Sequence, residues 1–175
     1  MAKIRKTITR EWLESEGACE EGIVWWEENG SSSIVETLRA IHTQPSYARW
    51  LIERLLVSDK KTAIRLAVFS TRLCLDKYKG DKTPLISAIE SAEDVVKNDC
   101  KKTRAAAGSA AWVAAWAAGE AAWAAALAAG SAAGEAAGAA GAAGEAACAA
   151  ARAAGAAAWK NILDELIRLI EEGEL

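Results

Sequence analysis

The amino-acid sequence predicts an all-α protein, and three observations predict it. Between residues 105 and 159 the chain contains 34 alanines in 55 residues, and 15 of the other 21 residues, from Gly108 to Trp159, follow one another at steps of three or four. Serine, threonine and proline stand in the first hundred residues at the positions where helices begin. No stretch alternates between apolar and polar residues for long enough to form a β-strand. We therefore expect helices throughout and no sheet.

Residues 1–98 contain the start and stop signals of a bundle of five or six short helices. Ser33 and Glu36 have the spacing of a capping box, and Pro45 suits the first position of a helix. In chain order we predict helices from Thr9 to Glu16, Ala18 to Glu28, Ile34 to His42, Pro45 to Val57, Ser58 to Gly80, and from Thr83 to the end of this part.

The alanine-rich segment has a regular stripe of other residues. From Gly108 to Gly141 these residues follow in the repeating order four, four, three. The resulting period of about 3.67 residues per turn is close to that of the α-helix, so the stripe stays on one side. We interpret it as a packing surface in which large residues lie over glycine and alanine. The alternative is an exposed aromatic binding face. The stripe includes Trp112, Trp116, Trp123, Gly134, Gly138 and Gly141.

One helix from Asp99 to Glu172 would be about 110 Å long, whereas a helical part of 98 residues is only about 30 to 40 Å across. Either this helix breaks and folds back, or a second copy of the chain covers it. We favour a break, most naturally at Gly130-Ser131, which makes the segment a hairpin or part of a bundle. A C-terminal amphipathic helix follows Trp159. The predicted division is 1–98 and 99–175, the two parts forming one compact unit.

Charge and cysteine content exclude several classes of protein. The formal net charge is −3 and the isoelectric point is about 5.4, which gives no strong case for nucleic-acid binding. The four cysteines form no CxxC pair and His42 is the only histidine, so we expect free thiols and no metal site. The longest uncharged stretch of the alanine-rich segment has 15 residues, too few to cross a membrane. Since no apolar run follows the basic N-terminus, we expect a cytoplasmic protein.

No sequence motif indicates catalysis or a cofactor. We expect His42 to be a surface or capping residue, and Trp25-Trp26 to pack at the rim of the core. The most basic stretch lies between Lys60 and Lys82, and a solvated helix face is its simplest interpretation.

The order of several segments resembles a known family. These segments are ACEEGIVWWEENG, YARWLIERLL, AIRLAVFSTRLCLDKY and PLISAIESAEDVV, followed by an alanine-rich repeat that ends in ARAAGAAAWKNILDELIRLI. They resemble alanine-repeat helical proteins of phages, prophages and bacteria, which are often labelled immunity proteins or left uncharacterised. The resemblance implies a small helical protein from a phage or microbial conflict setting, located in the host cytosol if phage-encoded. It implies no reaction and no cofactor.

These observations together predict a non-enzymatic binding protein that occludes a host or rival protein, such as a defence component, or sequesters a small signalling nucleotide. Sequestration needs a basic pocket with aromatic rings. The candidate binding residues are Trp26, Tyr47, Lys60, Lys61, Arg65, Arg72 and Tyr78. One alternative is a structural protein that uses its alanine-rich helices as a packing spacer and joins copies into a homo-oligomer. Another is an enzyme.

Overall fold

The fold is helical throughout the residues that the structure describes. The computed structural model describes residues 6–75, 78–115, 142, 145, 146, 148, 149, 152 and 157–171. These residues form eight α-helices, and their one β pairing is a single bridge between Thr7 and Ser33. The predicted all-α class is therefore confirmed. In chain order the helices are α1 (Arg10–Ser15), α2 (Glu20–Asn29), α3 (Ile34–Ala40), α4 (Pro45–Leu56), α5 (Lys60–Leu75), α6 (Thr83–Lys97), α7 (Lys101–Ala115) and α8 (Ala157–Glu171).

Side-chain caps fix the starts of α1 and α3. The Thr9 hydroxyl accepts a hydrogen bond from the Trp12 N–H at 3.2 Å, and Ser33 caps α3 in the same way. The predicted capping box is only half formed, because the Glu36 carboxylate accepts from the Ser31 hydroxyl. The last residues of α3 continue as a 3₁₀ turn, Ile41–Thr43, which explains why the helical pattern extends to His42 in the sequence.

Two boundaries differ from their predictions for local reasons. Helix α2 begins at Glu20 instead of Ala18, because the Ala18 N–H still bonds to Leu13 at the end of α1. Helix α5 begins at Lys60, since the Asp59 carboxylate accepts from the Thr62 N–H at 3.0 Å. Ser58, the predicted start, lies before this cap. The end predicted at Gly80 is also wrong, because α5 ends at Leu75.

A turn of three residues joins α6 to α7, and the two helices pack against each other. The Thr103 hydroxyl holds this turn by donating to the Asn98 carbonyl at 2.6 Å and accepting from the Cys100 N–H at 3.1 Å. The boundary predicted after residue 98 therefore falls in a tight turn between packed helices.

Helix α8 anchors the C-terminal part on the N-terminal helices. It packs against α3, α5 and the 3₁₀ turn, and its apolar face belongs to the same buried cluster as α1 to α6. Burial of each large aliphatic side chain contributes roughly 1.5 to 3 kcal/mol. The fully buried side chains of α8 are Ile162, Leu163, Leu166 and Leu169.

The alanine-rich segment packs at both of its described ends. Ala107, Ala146 and Ala149 have no exposed surface and join the common core. Beside them, Glu145 and Cys148 are half-buried and Arg152 is exposed. Around residues 145–149, the most buried helix face is therefore formed by the alanines that directly follow the stripe residues Glu145 and Cys148. The break predicted at Gly130-Ser131 lies outside the described residues.

Candidate functional site

The main candidate site is an open pocket between α2, the α1–α2 turn, the 3₁₀ turn and the start of α4. Its volume is about 280 Å³. Aromatic rings make up much of its wall, and this surface is called the aromatic pocket below. The lining residues are Ile8, Leu13, Gly17, Ala18, Cys19, Gly22, Trp25, Trp26, Thr37, Ile41, Ser46, Tyr47, Trp50 and Leu51.

The rings of the aromatic pocket are tilted against their neighbours. Trp25 on α2 and Tyr47 on α4 have ring centroids 6.0 Å apart at 51°. Trp50 makes a similar pair with Trp12 of α1, at 6.3 Å and 58°. Such tilted pairs at 4.5 to 7 Å are the favourable arrangement for aromatic rings. The walls are therefore preorganised by contacts that do not depend on a ligand.

Trp26 is fixed by a hydrogen bond network at the end of α2. Its indole Nε1 donates to the Ser31 carbonyl at 3.0 Å. The Thr37 hydroxyl donates to the same carbonyl at 2.9 Å and accepts from the Ser31 N–H at 3.1 Å. A Cβ at Gly30 would lie 2.7 Å from the Trp26 carbonyl oxygen, closer than real Cβ atoms come. The missing side chain at Gly30 thus leaves room for Trp26.

Two glycines shape the mouth of the aromatic pocket. Gly17 has φ +77°, a left-handed conformation that glycine adopts without strain, and it turns the chain from α1 into α2. Gly22 faces Tyr47, since a Cβ there would lie 3.9 Å from the Tyr47 ring and 3.4 Å from the Cys19 sulfur. Without side chains at these positions, the mouth stays open.

The described lining of the aromatic pocket is mostly apolar. No carboxylate, imidazole or amine is among its lining residues. Its polar groups are the hydroxyls of Ser46, Thr37 and Tyr47 and the exposed thiol of Cys19. Thr37 is already engaged by Ser31. A wall of this kind offers apolar area and ring faces to a bound group.

The structure separates the predicted aromatic residues from the predicted basic ones. Trp26 and Tyr47 come together in the aromatic pocket, whereas Lys60 and Lys61 line a depression with Asp99 beside α6. The Lys60 ammonium pairs with the Asp99 carboxylate at 3.3 Å. Tyr78 packs over Gly80. Within one described chain, these seven residues do not form a single basic aromatic pocket.

Arg65 and Arg72 both line a different surface, a groove of about 400 Å³ between α5, α6 and α8. The ion pair from Arg72 to Glu93 measures 2.5 Å, and the one from Arg168 to Glu165 measures 2.7 Å. This surface is called the basic groove below. Its lining residues are Arg65, Val68, Phe69, Arg72, Glu93, Val96, Lys97, Glu165, Arg168 and Leu169.

Several pocket residues were missed by the sequence interpretation, above all Trp50, Leu51 and Cys19. A signal for Trp50 exists in the sequence, because four of the eight tryptophans lie within the first 50 residues. The stripe residues Trp116, Trp123, Gly134, Gly138 and Gly141 lie outside the described residues. Trp112 belongs to α7, and its side chain is outside the described part as well.

The remaining chemistry-bearing residues are placed as follows. His42 is exposed and its Nδ1 lies 3.0 Å from the Arg39 carbonyl at the end of α3. Cys19, Cys100 and Cys148 are free thiols. Burial raises the pKa of Cys148, and the nearby Arg49 guanidinium opposes this shift. The Thr103 backbone N–H lowers the pKa of Cys100, with help from the Thr103 hydroxyl.

No protein-family model, curated protein or solved structure matches this chain. The described helices include none with the length and apolar character needed to cross a lipid bilayer. The same residues hold no cluster of three histidine, cysteine or carboxylate side chains placed for a metal ion.

Proposed function

We propose that this chain is a non-enzymatic binding protein that occludes a partner protein by taking one of its apolar side chains into the aromatic pocket. The observation that carries the proposal is the open cavity of about 280 Å³ walled by Trp25, Trp26, Tyr47 and Trp50. Resemblance to the alanine-repeat proteins of phages and bacteria supports a setting in which the partner is a host defence component or a rival's protein.

The size of the aromatic pocket favours a side chain as its occupant. Pockets for drug-sized molecules enclose roughly 300 to 1,000 Å³, so this cavity lies at the lower limit of that range. Protein interfaces commonly use a cluster of aromatic residues around one buried anchor. Trp25, Trp26, Tyr47 and Trp50 are each only half-buried in the isolated chain. An anchor that covers them adds apolar burial to the binding free energy.

A capture experiment with matched variants tests this proposal. Gly22→Leu fills the mouth of the aromatic pocket without removing any wall, and Ile86→Ala trims an apolar side chain on α6 that is 41% exposed. Wild-type protein and Ile86→Ala should retain the same partner from host extract, whereas Gly22→Leu should lose it. Circular dichroism checks that both variants keep their helices.

Cys19 reports occupancy of the same site independently. Its thiol is exposed and lines the pocket, so a bound partner should slow its alkylation by iodoacetamide. Peptide mapping by mass spectrometry separates Cys19 from the other cysteines. Equal capture by Gly22→Leu, together with unchanged Cys19 alkylation in the complex, would show that the pocket is not the binding site.

The basic groove supports a second candidate function, sequestration of a small signalling nucleotide. It brings Arg65, Arg72, Lys97 and Arg168 around Phe69, which supplies cations for phosphate and one ring for a base. The phosphate would compete with Glu93 and Glu165 for the arginines. The separation of this groove from the aromatic pocket makes the two functions testable one at a time.

Thermal shift measurements with a panel of linear and cyclic nucleotides test the second candidate. Bound ligand stabilises the folded state by RT ln(1 + [L]/Kd), so a nucleotide present at about 100 times its Kd adds roughly 2.7 kcal/mol. The increase in Tm should disappear in Arg72→Ala and persist in Gly22→Leu. If no nucleotide raises the Tm of the wild type, this candidate is wrong.

A further inference from the structure

We infer that the partner segment which fills the aromatic pocket is basic and carries lysine or arginine beside its apolar anchor. This inference rests on the proposed function and adds the chemistry of the partner. It is carried by the combination of an uncharged cavity and a strongly acidic rim.

The acidic rim belongs to α1, α2 and the turn between them. Residues 6–30 contain seven glutamates against Lys6 and Arg10. Arg10 pairs with three of the seven, at 2.9 Å to Glu14, 2.6 Å to Glu27 and 3.7 Å to Glu20. One arginine thus serves three carboxylates, and the region keeps a net negative charge that attracts cations.

Three further carboxylates lie next to pocket residues, and these carboxylates form no ion pair within the described part of the chain. Glu16 directly precedes Gly17 of the pocket mouth. On α2, Glu21 and Glu28 are four residues before and three residues after Trp25, so all three share one face of the helix. Glu21 and Glu28 are exposed, and they flank the wall ring on both sides.

The distribution of charge decides where the partner's cation lies. The cavity is lined by apolar and aromatic residues with no carboxylate, whereas the carboxylates stand on its rim. The Trp50 ring already has a cation–π contact within the chain, because the Arg54 guanidinium lies 5.7 Å from its centroid. An apolar side chain therefore enters the cavity, and the neighbouring lysine or arginine stays outside, opposite Glu21 or Glu28. A phosphate or an acidic peptide is repelled by the same rim.

Selection from a random peptide library on the immobilised full chain tests the inference. Peptides that bind wild type but not Gly22→Leu use the aromatic pocket. We expect these peptides to combine an aromatic or large aliphatic residue with lysine or arginine within a few positions. Enrichment of neutral or acidic peptides would overturn the inference and leave the proposed function standing. If no peptide depends on Gly22, the pocket is not a protein-binding site, and both proposals fail.

Charge-neutralising variants then measure the contribution of the rim. Glu21→Gln with Glu28→Gln should weaken binding of a selected peptide by about two- to five-fold per carboxylate and flatten its dependence on salt concentration. Most of the loss should appear in the association rate, as expected for rim charges. Glu90→Gln removes one negative charge from the exposed surface of α6, half of the change made in the double variant, and should leave Kd within two-fold of wild type. Unchanged affinity in the double variant would contradict the inference.

Discussion

The aromatic pocket and the basic groove are both open to solvent, but their surfaces are opposite in chemistry. The groove carries charged side chains that pair with one another, such as Arg72 with Glu93. The pocket exposes parts of four aromatic rings, and each 100 Å² of apolar surface left in water forgoes roughly 2.5 kcal/mol of stabilisation. A surface whose charges are already paired is complete within the chain. Burial of the exposed rings is favourable, and it takes place only when another molecule covers them. The pocket is therefore the stronger candidate site.

The largest effect is expected from truncating the leucine beneath each surface. Leu51 lines the aromatic pocket and Leu169 lines the basic groove, and both are buried. Leu51→Ala and Leu169→Ala should each lower the free energy of unfolding by about 2 to 5 kcal/mol. Urea denaturation measures both. A loss below about 1 kcal/mol in Leu51→Ala would mean that the pocket floor is less well packed than the groove floor.

Two glycine variants should shift stability in opposite directions. Gly30→Ala places a methyl group against Trp26 and should destabilise the fold by about 1 to 3 kcal/mol. Gly22→Ala meets its neighbours at 3.4 Å or more and should gain some tenths to about 1 kcal/mol from helix propensity. Thermal unfolding of the two variants side by side gives the sign. If both changes are stabilising, Trp26 is not held where Gly30 leaves room for it.

Removing a charge from the basic groove should have a small effect on stability. The Arg72 side chain is 56% exposed, so its pair with Glu93 is screened by solvent. Arg72→Ala should lower the free energy of unfolding by less than about 1 kcal/mol, and added salt should narrow the difference from wild type. A loss of several kcal/mol would show that the groove charges support the fold, which would remove the contrast with the pocket.

Cysteine reactivity should distinguish a solvent-facing turn from a covered helix face without changing stability. The pKa of Cys100 is lowered by the Thr103 N–H, and the pKa of Cys148 is raised by burial. The thiolate is the reactive form. At neutral pH, iodoacetamide should therefore modify Cys100 faster than Cys148, and the ratio of rates should fall as pH rises above the pKa of Cys100 and approaches that of Cys148. Mass spectrometry of quenched samples measures both rates, and equal rates at neutral pH would contradict the assignment.

Local signals in the sequence predicted the helices well, because caps act over three or four residues. Thr9, Ser33 and Pro45 each mark a start that the structure confirms. The end of α5 could not be placed from the pattern, since Leu75 and Gly80 are both compatible with the helical stripe. The capping box failed at Glu36 because a competing hydroxyl, that of Ser31, lies within its reach.

Assembly of the pocket depends on tertiary contacts that no local pattern contains. Trp26 on α2 and Tyr47 on α4 line the same cavity, and Gly22 of α2 faces the Tyr47 ring where the two helices approach each other. The separation of the basic residues follows from helix geometry, however. Lys60 and Arg72 are twelve residues apart on α5, about 18 Å along its axis, too far for one small pocket. Because both residues are basic and lie in one stretch of the sequence, their charge suggested a common site and did not reveal this distance.

Arg49 forms an ion pair that joins two regions of the molecule nearly a hundred positions apart in the sequence. It lies between Tyr47 and Trp50 on α4, and its guanidinium binds both Glu53 and Glu145 of the alanine-rich segment. Because Tyr47 and Trp50 line the aromatic pocket, the helix that carries this wall and Glu145 of the alanine-rich segment share one cluster of ion pairs. The paired side chains are partly exposed, so each pair contributes no more than about 1 kcal/mol to holding the two regions together.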